Sequence, residues 1–116
     1  MVTGTVYKIC ERALWDECEH TGVFTRAGAD LRDGFIHLST AAQVRDTAAR
    51  HFSGAHDLML IAVDAVAITG ALKWEISRGG DLFPHLYGAL PLTAVIWAKP
   101  LPMGPDRRHV FPELTA

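Results

Sequence analysis

The sequence predicts an α+β domain built on a split or curved mixed β-sheet with two short helices. Three observations carry this. Runs rich in β-branched, aromatic and aliphatic residues recur along the whole chain, whereas helical periodicity is confined to two early segments. Strands and helices do not alternate regularly, as they would in a doubly wound parallel sheet. The run LMLIAVDA at 58–65 is continuously apolar, the pattern of a central strand covered on both faces.

GTVYKIC (4–10) is rich in β-formers and reads as the first strand. In 12–22 Leu14, Trp15 and Cys18 share a helical face, and Gly22 stands where a left-handed C-terminal residue belongs. VFTRAGADLRDG (23–34) has no sustained period and several glycines, so a loop with a brief strand is expected. DGFIHLS (33–39) reads as a strand that turns Ile36 and Leu38 to one face and His37 and Ser39 to the other. Thr40-Ala41-Ala42-Gln43 then fits a capping box, and Ala41, Val44, Ala48 and Phe52 repeat at helical spacing before Ser53-Gly54.

After the central strand, ALKWEIS (71–77) is a further strand. SRGGDLFPHLYGALP (77–91) is rich in turn formers yet carries Phe83, His85 and Tyr87, and Arg78-Gly79-Gly80 reads as a tight turn. TAVIWAKPL (93–101) closes the sheet, and the proline-rich tail from Pro100 is expected to be irregular.

The 116 residues make a single domain, 1–116, with 49% hydrophobic and 21% charged residues. A net charge of −2 gives no field that would draw the chain to nucleic acid, although RNA stays open as a substrate. The longest apolar run is broken by Asp64 and too short to span a bilayer, and the N-terminus has no signal-peptide pattern. A cytoplasmic protein without a membrane partner is expected. Cys10 and Cys18 are expected to be reduced core thiols.

Six histidines show no paired metal-ligand spacing, so no metal is expected. Phosphate-binding loops, dinucleotide fingerprints and nucleophile elbows are also missing from the sequence. What remains is a polar and aromatic set without obvious structural duty: Tyr7, His37, Ser39, Thr40, Trp74, Glu75, His85 and Tyr87. Pro84 and Gly88 flank an extended piece that presents His85 and Tyr87 on one face. Histidine can bind a ribose hydroxyl or move a proton, and a carboxylate can steady positive charge developing on a sugar. For each residue there is also a purely structural duty: a half-buried strand histidine, a surface ion pair of Glu75, a tyrosine at the core rim.

YKI (7–9), DGFIHLST, the helix from Gln43 to Phe52, KWE (73–75) and FPHLYG-x-LP (83–91) together resemble the bacterial domain-of-unknown-function family 952, over Tyr7 to Trp97. More distantly, FIHLS (35–39), LMLIAVDA and LYGALP are similar, in that order, to blocks of RNA 2′-phosphotransferases. That resemblance implies an ADP-ribosyltransferase-like fold, a split sheet that cradles NAD. His37 matches the histidine of the HLS block. Tyr7 lies nearest to the position where those enzymes carry a first-strand histidine or arginine. His85 and Tyr87 fall where many ADP-ribosyltransferases carry a glutamate, with Glu75 upstream.

The resemblance implies an NAD-utilising enzyme of undefined substrate. His37, Glu75 and His85 would be catalytic, with His37 holding a ribose hydroxyl or phosphate and Glu75 or His85 steadying the ribosyl cation or activating the acceptor. Tyr7, Ser39, Thr40 and Tyr87 would hold the cofactor, a tyrosine stacking on nicotinamide. Two alternatives stand beside it: a catalytically inactive module that binds a nucleotide or ADP-ribose, and a protein-interaction domain using the FPHLYG surface. His37 is then expected to face a ligand cleft across from His85 and Tyr87.

Overall fold

The computed structural model describes residues 4–25 and 29–116. In chain order the elements are β1 (Thr5–Glu11), α1 (Arg12–Thr21), β2 (Val23–Phe24), α2 (Ala29–Asp33), β3 (Ile36–His37), β4 (Ser39–Thr40), α3 (Val44–His51), β5 (Leu58–Asp64), β6 (Leu72–Ile76), β7 (Leu82–Leu86), β8 (Leu90–Pro91) and β9 (Val95–Leu101). The fold is α+β. Its strands form three sheets, ordered β4-β1-β5-β9, β3-β7-β6 and β2-β8, and every pairing is antiparallel.

β5 lies between β1 and β9 and is buried on both faces. Met59, Ile61 and Val63 join a core with Val6, Cys10, Trp15, Cys18, Phe24 and Leu86. Leu60 and Ala62 point the other way, to Tyr7, Ile9, Val44 and Ala48. α1 therefore covers one side of the central sheet and α3 the other. Both helices bury the faces expected from their periodicity, and α1 ends on Gly22 at φ 81°, a left-handed conformation that glycine adopts without steric cost.

Three features differ from the sequence reading. The described residues form three α-helices, because the loop expected over 23–34 contains α2; residues 26–28 of that loop lie outside the described residues. α2 has five residues, too few for a periodic signal, and is anchored by contacts of Asp30 with distant groups. The segment expected as one strand over 33–39 is instead the end of α2, a left-handed Gly34 (φ 85°), and two short strands in different sheets. Finally, the turn-rich 77–91 holds a regular strand, β7, central in its sheet. Arg78–Gly80 is a turn, with Gly79 and Gly80 both at positive φ.

Pro84 accounts for the split. His37 pairs with His85, and Leu38 N–H donates to the Pro84 carbonyl at 3.1 Å. Pro84 has no N–H to return, so the ladder stops there. Leu38 carries the chain across, and Ser39 and Thr40 pair with Tyr7 and Val6 of the central sheet. The tail beyond β9 has an isolated bridge, Met103 to His109, and is otherwise irregular. It nonetheless covers the α3 side of the sheet with Phe111 and Leu114.

Candidate functional site

A cleft of about 780 Å³ opens at the seam between the two larger sheets. β4 covers the outer edge of β1 only at Val6 and Tyr7. Successive residues of β1 from Tyr7 to Glu11 then border the cleft, as expected where the strand edge is uncovered beyond Tyr7. α2, the β3–β4 segment, α3 and β7 supply the remaining walls, with Asp30, His37, Ser39, Thr47 and His85 among the lining.

One wall is a charge network. Asp30 is 2% exposed, yet its carboxylate accepts from Lys8 Nζ (3.0 and 3.1 Å) and from His37 N–H (2.9 Å), with His37 Nδ1 at 2.6 Å. Burial pushes the Asp30 carboxyl up; the His37 hydrogen bonds and the Lys8 charge more than offset it and hold it below the ordinary carboxylate range. His37 Nε2 lies 2.8 Å from Asp33 Oδ2, and Asp33 also takes Arg32 Nε at 3.0 Å. Carboxylates only accept, so both contacts of the His37 ring are satisfied when both of its nitrogens carry hydrogen. Asp33 is lowered by Arg32 first and by His37 second.

Opposite stands a second histidine held by a second carboxylate. His85 Nδ1 is 2.9 Å from Glu75 Oε1, and the ring stacks on Phe35 at 4.0 Å between centroids. His85 Nε2 has no hydrogen-bond partner among the described residues, and His85 lines the cleft. The His37 and His85 rings are 5.9 Å apart as a cross-strand pair. Tyr87 donates to the same Glu75 oxygen at 2.7 Å, which lowers the Glu75 carboxyl and raises the Tyr87 phenol. Lys73 Nζ sits 4.8 Å from the Tyr87 ring centre.

His37, His85, Glu75 and Tyr87 thus come together around Phe35. Glu75 and Tyr87 stand behind His85 and do not border the cleft. Ser39 borders it with its hydroxyl 2.8 Å from that of Thr47. Thr40 stays outside the lining, its N–H donating to Gln43 Oε1 at 3.1 Å in half of the expected capping box. Tyr7 is 1% exposed; its hydroxyl donates to Thr115 O (2.8 Å) and accepts from Thr115 N–H (2.9 Å), which ties it to the tail. In FPHLYG, residues 83–86 are buried and Tyr87 offers the exposed ring.

Lys8, Asp30, Asp33 and Phe35 escaped the sequence reading. The available signal was Lys8 itself, a lone charge within an apolar strand, which obliges a buried partner somewhere in the fold. Among the described residues no cluster of histidine, cysteine, aspartate and glutamate has metal-holding geometry. Cys10 and Cys18 are free and buried, and burial pushes the Cys10 thiol up to about 12. Among the described residues no helix is long and apolar enough to cross a membrane.

A small antiparallel α+β domain with a histidine-lined cleft at the seam of a split sheet is the class these features define. Residues 9–98 match the family described as "Protein of unknown function (DUF952)", and the chain belongs to that family. Its fold is similar to the crystal structure of protein CC0527 from Caulobacter crescentus, at 43% identity and a TM-score of 0.88, covering 91% of this chain and 93% of that one. The solution structure of CC0527 is similar at 44% identity and a TM-score of 0.81, with 90% of each chain covered. No curated protein matches the chain.

Proposed function

We propose that the chain is an ADP-ribosyltransferase-like enzyme that uses NAD, with His85 as the base that activates the acceptor. The observation that carries this reading is the His85–Glu75 pair: one ring nitrogen is oriented by a carboxylate at 2.9 Å, and the other has no partner among the described residues, on a cleft of nucleotide-sized volume. The nicotinamide–ribose bond breaks with its electron pair leaving on nicotinamide. An acceptor hydroxyl attacks the ribosyl cation at C1′, and its proton passes to His85 Nε2. Glu75 steadies the imidazolium so formed. Lys8, whose ammonium keeps one hydrogen beyond its two contacts with Asp30, supplies a donor for a ribose or phosphate oxygen beside the His37 ring, which Asp30 and Asp33 hold in place, and the resemblance of the FIHLS block to NAD-binding proteins supports that placement.

A second reading, a nucleotide or ADP-ribose-binding module without turnover, is favoured by one feature. Asp30 and Asp33 are already engaged and Glu75 stands behind His85, so these carboxylates are not free to face a ribosyl cation.

Released nicotinamide on incubation with NAD, together with ¹H–¹⁵N shift perturbation by NAD and by ADP-ribose, separates the readings. The enzyme releases nicotinamide, and His85→Ala lowers that rate about 10²- to 10⁴-fold. Shifts around His37 and His85 without nicotinamide release define the binding module. No shifts at millimolar ligand retire NAD altogether.

A further inference from the structure

We propose that β6 is a self-recognition edge through which two copies of the chain pair about a two-fold axis at Trp74, joining their three-stranded sheets into one. β6 ends the β3-β7-β6 order and, among the described residues, pairs with β7 alone. The direction of its main-chain groups follows from its neighbours. Tyr87 N–H donates to Ala71 O, and the Pro84 carbonyl turns toward Leu38, so Trp74 opposite Pro84 is a non-hydrogen-bonded pair with respect to β7. Leu72, Trp74 and Ile76 therefore aim their N–H and C=O groups away from β7, to the open side. Leu72 N–H makes a 3.4 Å turn contact with Thr69 O; the groups of Trp74 and Ile76 have no partner among the described residues.

The side chains of this edge complement themselves. In an antiparallel copy centred on Trp74, Trp74 meets Trp74, Leu72 meets Ile76, and Lys73 meets Glu75. Trp74 then exchanges both hydrogen bonds with its counterpart, and Ile76 N–H reaches the Leu72 carbonyl of the second copy. A lysine on an edge strand ordinarily blocks such pairing, because two copies set like charges face to face. Here the two-residue offset sets each lysine against a carboxylate. Glu75 has the capacity, since both its internal hydrogen bonds fall on Oε1. On the other face Trp74 (37% exposed), Ile76 (75%) and Leu82 (52%) form an apolar strip without a cover, and pairing shields Ile76 behind Leu72 of the second copy.

Sedimentation equilibrium of the full chain, with Lys73→Glu, Glu75→Lys and the double exchange, tests this. The wild type is expected to dimerise, each single reversal to weaken the dimer at least about tenfold, and the double exchange to restore it. Ile76→Pro, which removes an amide without a partner among the described residues, should abolish the dimer while the far-ultraviolet circular dichroism stays unchanged. A wild type that is monomeric at millimolar concentration overturns the proposal. So does a dimer indifferent to the single reversals and to Ile76→Pro.

Discussion

Lys8 Nζ lies 3.0 Å from Asp30 Oδ2, with the lysine side chain 11% exposed and the aspartate 2%. This contact ties the first strand to the five-residue helix α2 across the cleft wall. Deleting one partner leaves the other charge buried alone, which costs about 3–5 kcal/mol. Asp30→Ala is expected to lose that much stability in urea unfolding, and Lys8→Met combined with Asp30→Leu much less. Additive single losses in the cycle would show that the two side chains do not act as a pair.

The same carboxylate sets an acid limit. Asp30 is held below its ordinary value of 3.8 in the folded state, so the unfolded chain binds its proton first as pH falls. Its stabilisation is complete above that value and disappears as pH drops through the folded-state value beneath it. Urea midpoints followed below about pH 4 should therefore fall more steeply for the wild type than for Asp30→Asn.

Glu75 governs the phenol behind His85. The hydrogen bond it accepts from the phenol, then desolvation and its negative charge, raise Tyr87 above 10.0. In Glu75→Gln the Tyr87 transition should move to lower pH in an ultraviolet titration, while Tyr87→Phe removes that transition and identifies it. An unmoved transition would mean that the 2.7 Å contact is absent in solution.

Tyr7→Phe removes both bonds to Thr115 and should cost about 1–3 kcal/mol. The loss should localise: amides near Thr115 would exchange faster, while those of β5 keep their protection relative to global unfolding. Equal loosening of the cleft segment around His37 would instead assign Tyr7 to the ligand side.

How much of this was legible depended on the range of the interactions. Trp15 and Cys18 in α1, Val44 and Ala48 in α3 and the two-faced run of β5 follow from periodicity, because burial repeats with the local backbone. His37 and His85 were legible as a pair of polar residues on extended segments, and they do face each other. Tyr7 and Lys8 show where that reading ended. Neighbours on a strand point to opposite faces, and nothing local says what each side chain meets; the tail holds the Tyr7 hydroxyl and Asp30 the Lys8 ammonium, while both residues border the cleft. α2, and the regular ladder that the extended piece around His85 makes as β7, were hidden for a related reason. The first depends on Asp30 meeting residues far along the chain, and the second on ladders with β3 and β6 that override the local turn signals.

The interruption at Pro84 gives the cleft an origin independent of its chemistry. A single missing amide hydrogen stops the β3–β7 ladder and sends Leu38 to the other sheet, so the gap belongs to the main chain. The side chains of Lys8, Asp30, His37 and His85 line a gap that the backbone already leaves. The aperture is the more fundamental specification, and the histidines are one way of furnishing it.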